Sequence, residues 1–502
     1  MLKKLWSFSG RYQILHMTWL AFLVSFVVLF NIAPLATAII DEFQLSPEQY
    51  RTMILCNLAL AIPLRILFGM LIDRFGPRVV FSAILFYAAF PCIAFALAQN
   101  FQHLIWSRLA IGVVGAGFVV GIRMVAEWFP SKEIGFAEGI YGGWGNFGSG
   151  VAALTLPLVA FAASFMVSGE VNWRFAVALT GIVAAVYGVI YFFNVQDTPP
   201  GKEYQRPERD GGIEVTTKKD FWLLCITNFP VFAALGVVAW RFSAVGVLNQ
   251  TGVVIILLVL LAIYLCQTYL SWNVNRELMA GEKRYPPEDR YKFNQVALLE
   301  LAYFVGFGSE LAVVSMIPLF FENSFRLNPA MAGAIASSYA FMNLVARPGG
   351  GLISDTLGSR KWSLVVLLGC MGIGYLVMSS ITGNWWLPWA ILITMATSFC
   401  VMASEGAAYG IVPLVRHRIT GQIAGSVGAW GNVGGVAYLT LYSLLPEGDA
   451  GNRIFFSTIG ISSLIVTFFC LFFLQEPKSE EEELETQSLA AIATANKVLL
   501  KK

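Results

Sequence analysis

The sequence predicts an all-α polytopic membrane protein of 14 spans, built as two parallel six-helix repeats with two extra helices between them. The first observation is compositional: of 502 residues 57% are hydrophobic and only 13% charged, with a mean hydropathy of +0.68. That is too apolar for a water-soluble chain of this length. The second is an internal duplication. Arg65 to Arg78 reads R-I-L-F-G-M-L-I-D-R-F-G-P-R and Arg347 to Arg360 reads R-P-G-G-G-L-I-S-D-T-L-G-S-R, so Arg, Gly, Asp, Gly and Arg recur at a constant offset of 282. Gly143 to Gly148 and Ala429 to Gly434 repeat Trp-Gly-Asn-x-Gly at an offset of 286. A period that divides the chain in two is the mark of a duplicated unit.

Taken in order, the chain opens with Lys3, Lys4 and Arg11 and an apolar run from His16 to Ile40. The run is too long for a signal h-region and lacks a small-residue cleavage site, so it is expected to be a first transmembrane helix and not a removed leader. Apolar stretches of spanning length follow at about 50–71, 79–98, 103–129, 135–166 and 173–194. They complete a first six-helix half, 1–196. A polar linker, 197–220, carries Asp197-Thr-Pro-Pro-Gly201 and several charges. The segment 221–292 holds two more spans, about 221–248 and 252–275, and a charged loop. The second half, 293–476, gives six spans at about 293–321, 330–353, 362–381, 386–414, 421–445 and 453–475. The tail, 477–502, is polar and acidic and reads as a solvated extension.

An even number of spans puts both termini on one side. Of the 33 Lys and Arg, only Arg51, Arg174, Arg326 and Arg453 fall in loops of the opposite side, while Arg65, Arg108, Arg123, Arg241 and Arg347 fall within spans. Cytosolic loops are the basic ones, so both termini are expected in the cytosol, with the bilayer as the chain's surroundings. The net charge of +2 does not point to nucleic acid. The seven cysteines lie scattered in apolar runs with no C-x-x-C, and read as small buried side chains. The three histidines have no metal spacing, and no nucleophile set, nucleotide motif or Gly-Lys-Ser/Thr loop is present. An enzyme, a metal and a cofactor are therefore not expected.

Asp73 and Asp355 end the second helix of each half and serve as rulers of depth. Arg65 and Arg347 each precede them by eight residues, about 12 Å at the α-helical rise. Half of a hydrocarbon core is about 15 Å. Both arginines thus lie near the midplane at equivalent positions of two facing halves. An intramembrane arginine costs at least about 2.5–3.5 kcal/mol on insertion scales, and a symmetric pair calls for an anion. Pairing with carboxylates of neighbouring helices is the competing explanation. Against it, Glu127 lies just before Pro130 at a helix end, and the first half is expected to hold no deep Asp or Glu. Arg123 and Glu127, spaced i, i+4, are expected to brace one another. The glycines 112, 115, 117 and 121, and 139, 142, 145 and 148, give small-residue faces for close helix approach.

The loop G-x-L-x-D-R-x-G-x-R that starts at Gly69, with its echo in the second half, resembles the loop signature of the major facilitator superfamily, and Arg108 with Gly112 resembles that superfamily's fourth-helix motif. More narrowly, the glycine-rich stretch from Gly139 to Gly148, its echo from Gly425 to Gly435 and the paired arginines resemble the nitrate/nitrite porter branch, closest to cyanobacterial-type permeases. The likeness covers both six-helix halves. It implies a major facilitator fold in which Arg65 and Arg347 clamp the anion, Phe118, Tyr303 and Phe307 flank it, and Asn146 contributes from the first glycine-rich stretch. Repeat symmetry adds Asn432. Gly69, Asp73, Arg74 and Arg78, with Gly351, Asp355 and Arg360, are the gating residues it implies. The chemistry agrees: planar guanidinium forks suit the oxygens of a small planar anion, and aromatic faces close the walls.

The expected function is secondary transport of nitrate, with nitrite, across the plasma or bacterial inner membrane by alternating access, carried out by a monomer. Glu300 and Glu310 bracket Tyr303 and Phe307 on one helix, and are expected to couple uptake to protons. Glu310 follows Tyr303 by seven residues and so projects from roughly the same face. Nitrate/nitrite exchange and carriage of a small organic carboxylate are the competing expectations.

Overall fold

The computed structural model describes residues 5–166, 171–207, 211–244, 246–285, 290–327, 329–446 and 448–477. The acidic tail from 478 onward lies outside the described residues. Every regular element among them is helical. The first half runs α1 (Gly10–Leu29), α2 (Ala36–Phe43), α3 (Pro47–Ala59), α4 (Ala61–Phe75), α5 (Pro77–Tyr87), α6 (Ala89–Ala96), α7 (Phe101–Ile111), α8 (Phe118–Trp128), α9 (Ile134–Asn146), α10 (Gly148–Ala162) and α11 (Trp173–Asn194). The inserted elements are α12 (Lys218–Ala244), α13 (Gln250–Val274) and the short α14 (Arg276–Ala280). The second half runs α15 (Phe293–Phe325), α16 (Pro329–Phe341), α17 (Asn343–Thr356), α18 (Arg360–Met378), α19 (Leu387–Val415), α20 (Thr420–Leu444) and α21 (Asp449–Phe473).

Local chemistry sets these boundaries. Ser46 and Gln49 form a capping box at the start of α3, with Pro47 at its first position. Asn100, Asn172, Asn249 and Ser359 each accept from the backbone N–H three residues on and start α7, α11, α13 and α18. Gly76, at φ +88°, turns the chain between α4 and α5. Between α7 and α8 the glycine-rich Gly112–Gly117 tightens into a 3-10 segment, which re-aims Phe118.

Twelve helices among the described residues are long and apolar enough to cross a membrane. Two stretches that the sequence suggested as spans are not among them. One, about 330–353, is divided near Met342 into α16 and α17; the other is α20, whose 25 residues include the glycines 421, 425, 428, 431, 434 and 435. The outward faces are apolar: Leu154, Leu158 and Phe161 of α10 are exposed, and so are Val254, Ile255, Leu258, Leu261 and Leu265 of α13. A continuous apolar exterior of this kind is what lipid covers. One compositional expectation needs correction, because Cys266 and Cys370 are exposed on that exterior while Cys56, Cys92, Cys225 and Cys470 are buried.

The most extensive contacts between the halves are α4 against α20 and α9 against α17. Glycines permit both. A Cβ on Gly69 would strike the Gly421 carbonyl, and one on Gly351 the Gly135 carbonyl. Higher on the same seams, a Cβ on Gly425 would strike the Arg65 carbonyl and one on Gly139 that of Arg347. The small-residue face read from the sequence at Gly139 is thus the surface on which Arg347 is carried.

Candidate anion-binding site

Arg65 of α4 and Arg347 of α17 are both buried, with 3% and 2% of their surface exposed. Phe307 of α15 lies between them, its ring centroid 5.3 Å from the Arg65 guanidinium carbon and 5.6 Å from that of Arg347. Phe118 lies 5.3 Å from the Arg65 guanidinium. Phe118 and Tyr303 stack at 6.3 Å, and Tyr303 and Phe307 at 5.2 Å, with interplanar angles of 9° and 12°. The structure therefore brings five of the expected residues into one cluster of two guanidiniums and three parallel rings.

The two arginines differ in their partners. Arg65 donates Nη1 to the Gly428 carbonyl at 2.7 Å, its Nε has no partner, and it has no carboxylate partner among the described residues. Arg347 donates Nε to Asn343 Oδ1 at 2.8 Å and Nη2 to Glu310 Oε2 at 3.0 Å, and forms a second ion pair with Glu405 of α19. Asn343 also donates to Glu310 Oε1 at 2.7 Å. Asn146, with its amide oxygen turned to Arg347, accepts from Nη2 at 2.9 Å and Nη1 at 3.1 Å. Asn432 is buried, and its amide nitrogen has no hydrogen-bond partner among the described residues. The expectation that an external anion is the counterpart of both arginines is thus corrected for Arg347, which has two carboxylates of its own.

Tyr409, Glu405 and Glu138 were not singled out in the sequence as parts of the cluster. Tyr409 of α19 meets Phe118 and Tyr303 edge-on, each at 4.8 Å, and donates to the Ala424 carbonyl. The presence of Glu405 in the second half is legible in the sequence, but its pairing depends on how α19 meets α17. Glu138 of α9 corrects the expectation of a first half without deep acids: it is 2% exposed, and neither carboxyl oxygen has a hydrogen-bond partner among the described residues. An acidic residue inside a glycine-rich apolar run was the available signal.

The ends of α4 and α17 close one side of the cluster. Asp73 accepts from the backbone N–H of Gly421 and Gln422 at 3.0 and 2.9 Å, at the start of α20. Asp355 accepts from Gly135 and Phe136 at 3.1 and 2.7 Å, at the start of α9. In each case a carboxylate of one half satisfies free N–H groups at a helix N-terminus of the other, where the dipole also favours it. Arg360 pairs with Asp355 at 2.6 Å and donates to the Gly410 and Ser131 carbonyls. The repeat predicts the same of Arg78 at Asp73, but its backbone N–H bonds Asp197 and its guanidinium lies over Phe192. Arg123 stands near Asp73 instead, at 3.8 Å, and pairs with Glu127 at 2.8 Å as its spacing suggested. It also reaches the His417 and Gln205 carbonyls and the Tyr204 hydroxyl, which ties the linker into this closed face. Arg74 is exposed, over Phe75.

The comparisons with known proteins come to the same architecture. The family model described as Major Facilitator Superfamily matches residues 18–281 and 299–502. The chain is 56% identical to the nitrate/nitrite transporter NrtP of a Picosynechococcus species over 98% of both chains. It is 52% identical to the NrtP of Nostoc punctiforme over 100% of this chain and 99% of that one. Among solved structures, the proton:xylose symporter XylE superposes with a TM-score of 0.60, over 95% of this chain and 98% of that one, at 14% identity. That last likeness is one of fold.

Proposed function

Because this chain belongs to the nitrate/nitrite porter family of the major facilitator superfamily, we propose that it is a secondary carrier of nitrate and nitrite, not an enzyme, and that it works by alternating access. The observation that carries this reading is the central cluster, above all Arg65, a buried cation faced by aromatic rings and by no carboxylate among the described residues. A planar anion between the two guanidiniums would take the free Nε of Arg65 and share the guanidinium of Arg347 with Asn146, Glu310 and Glu405, which hold it in place. Phe118, Tyr303 and Phe307 form the walls, and Asn432 is the nearest candidate for a further donor by repeat symmetry.

Charge balance supports coupling to one proton. Without anion, Arg65 and Arg347 are balanced by ionised Glu310 and Glu405. Adding one anion leaves an uncompensated negative charge in a low-dielectric site, and one proton on the Glu310–Glu405 pair removes it. The neutral states are then empty and loaded with one anion and one proton, which is symport. Glu310 is the coupling group in this reading, with Glu405 sharing its proton.

The architecture that supports this cycle has 14 spans, two parallel six-helix repeats and an inserted pair, with both termini and the basic loops in the cytosol of a bacterial inner membrane. Gly69, Asp73, Arg74 and Arg78, with Gly351, Asp355 and Arg360, belong to the cytosolic gate, and a monomer suffices. The reading is tested by nitrate uptake into proteoliposomes under imposed proton gradients, with acetate and formate as competitors. Uptake driven by an inward proton gradient and blocked by nitrite supports it. Uptake that requires internal nitrite and ignores the gradient would make the protein an exchanger, and equal competition by acetate would make it a carboxylate carrier.

A further inference from the structure

Glu300 of α15 is fully buried, three residues from Tyr303 on the side toward the closed face. Its Oε1 accepts from Ser426 of α20 at 2.5 Å, and the Thr227 hydroxyl of α12, which donates to the Leu224 carbonyl at 3.3 Å, stands nearby. Its Oε2 has no hydrogen-bond partner among the described residues. Among the described residues no charged group of α12, α19, α20 or α21 acts on this carboxyl: Asp220 of α12 is bound to the Phe293 N–H, and Glu405 of α19 to Arg347. Beside Ser426 lies a cavity of about 20 Å³, lined by Asn228, Gln267 and Ser271 of the inserted pair, Gly212 of the linker, and Gln422 and Ser426 of α20. This is room for about one water. Gln422 has a side-chain carbonyl oxygen without a partner among the described residues, and its backbone N–H bonds Asp73 at 2.9 Å. The polar cavity therefore adjoins the Asp73 closure, and Ile66 and Met70 of α4 form its opposite wall.

We propose that the inserted pair makes Glu300 a proton-binding site served from the linker side, separate from the carboxylates at Arg347, and that a proton there holds that side shut. An ionised carboxylate with no cation and one free oxygen is costly in this closed crevice, so the closed state holds the neutral acid. When Asp73 leaves α20, Gln422 and Ser426 part from Ile66 and Met70, water reaches Ser426, and the carboxylate is solvated. The closed state thus binds one proton more than the open one, and acid on the linker side favours closure. The proton passes between Glu300 and cavity water by way of the Ser426 hydroxyl, which gives up one proton as it takes another. One turn further along α15 stands Tyr303, whose ring packs on Phe118 and Tyr409.

The inference rests on the carrier reading, and its test separates the two. Nitrate/nitrite exchange is followed in proteoliposomes of known sidedness, with pH varied on the linker side only. Wild-type exchange is expected to fall by roughly threefold or more as that side is acidified from about pH 7.5 to about pH 5.5. Glu300→Gln keeps an acceptor for Ser426 but cannot ionise, so its exchange is expected to be slow and flat; Glu300→Asp retains a response. A wild-type protein that exchanges nitrate with no linker-side response, or a Glu300→Gln protein that responds as wild type does, overturns the proposal and leaves the carrier reading standing. A wild-type protein with no transport at all would remove the carrier reading itself.

Discussion

Arg65 and Arg347 stand at equivalent places in the duplicated sequence, yet their surroundings predict different responses to substitution. Lysine keeps the charge but offers a compact, strongly hydrated ammonium in place of a planar fork. Arg65→Lys is expected to lower nitrate affinity by one to two decades, the loss of one charged hydrogen-bond pair at about 1.5–3 kcal/mol, with an unchanged elution profile and melting temperature. Arg347→Lys is expected to lose as much affinity and some stability as well, because Asn343, Asn146, Glu310 and Glu405 all converge on that guanidinium. Calorimetry with a thermal melt on each variant distinguishes them, and the double variant should lose less than the sum. Near-normal affinity in Arg65→Lys would make Arg65 a packing residue. For coupling, Glu310→Gln should abolish gradient-driven uptake and spare exchange; uptake intact at every pH would exclude Glu310 as the coupling group. The arginine pair was legible in the sequence because depth follows from spacing along one helix, whereas its aromatic neighbours were named only by the family resemblance. Glu310 was placed beside the aromatic wall by its position on α15, but the pairing of Glu405 with Arg347 was not legible, since spacing does not say which face of α19 meets α17.

At the scale of elements, the seams α4–α20 and α9–α17 are held by backbone contact over glycines and by two carboxylates at helix N-termini. A methyl group at Gly425 or Gly139 would meet the carbonyl of the arginine itself. Gly425→Ala and Gly139→Ala are therefore expected to weaken the closed face and raise the solvent accessibility of a cysteine placed at Gln422, read as a faster rate of thiol labelling. Labelling as slow as in the glycine background would mean that the seam is looser than its geometry indicates. The glycine spacing made close helix approach legible, and the repeated Asp made the closure points legible. The partner of Asp73 was not, because Arg123 reaches it from α8, an element that the repeat of Arg78 and Arg360 does not include. The break of the fourth apolar stretch at Gly112–Gly117 also escaped the hydropathy pattern, which cannot tell a 3-10 turn from an α-helical one.

At the scale of the whole molecule, the membrane character and the order of the helices follow from composition, since each span must bury its own backbone polar groups and show lipid an apolar face. The span count is less legible. The helices nearest the candidate pathway, α17 and α20, are the ones whose glycines and polar residues make them least like lipid-spanning segments. What the assembled fold adds is charge balance: two arginines of different halves against two carboxylates of one. The most direct test of that balance is simultaneous measurement of nitrate and proton uptake in proteoliposomes clamped at zero membrane potential. The account predicts one proton taken up with each nitrate, and loss of the proton signal in Glu310→Gln. Nitrate entering with no accompanying proton, balanced only by nitrite leaving, would contradict it.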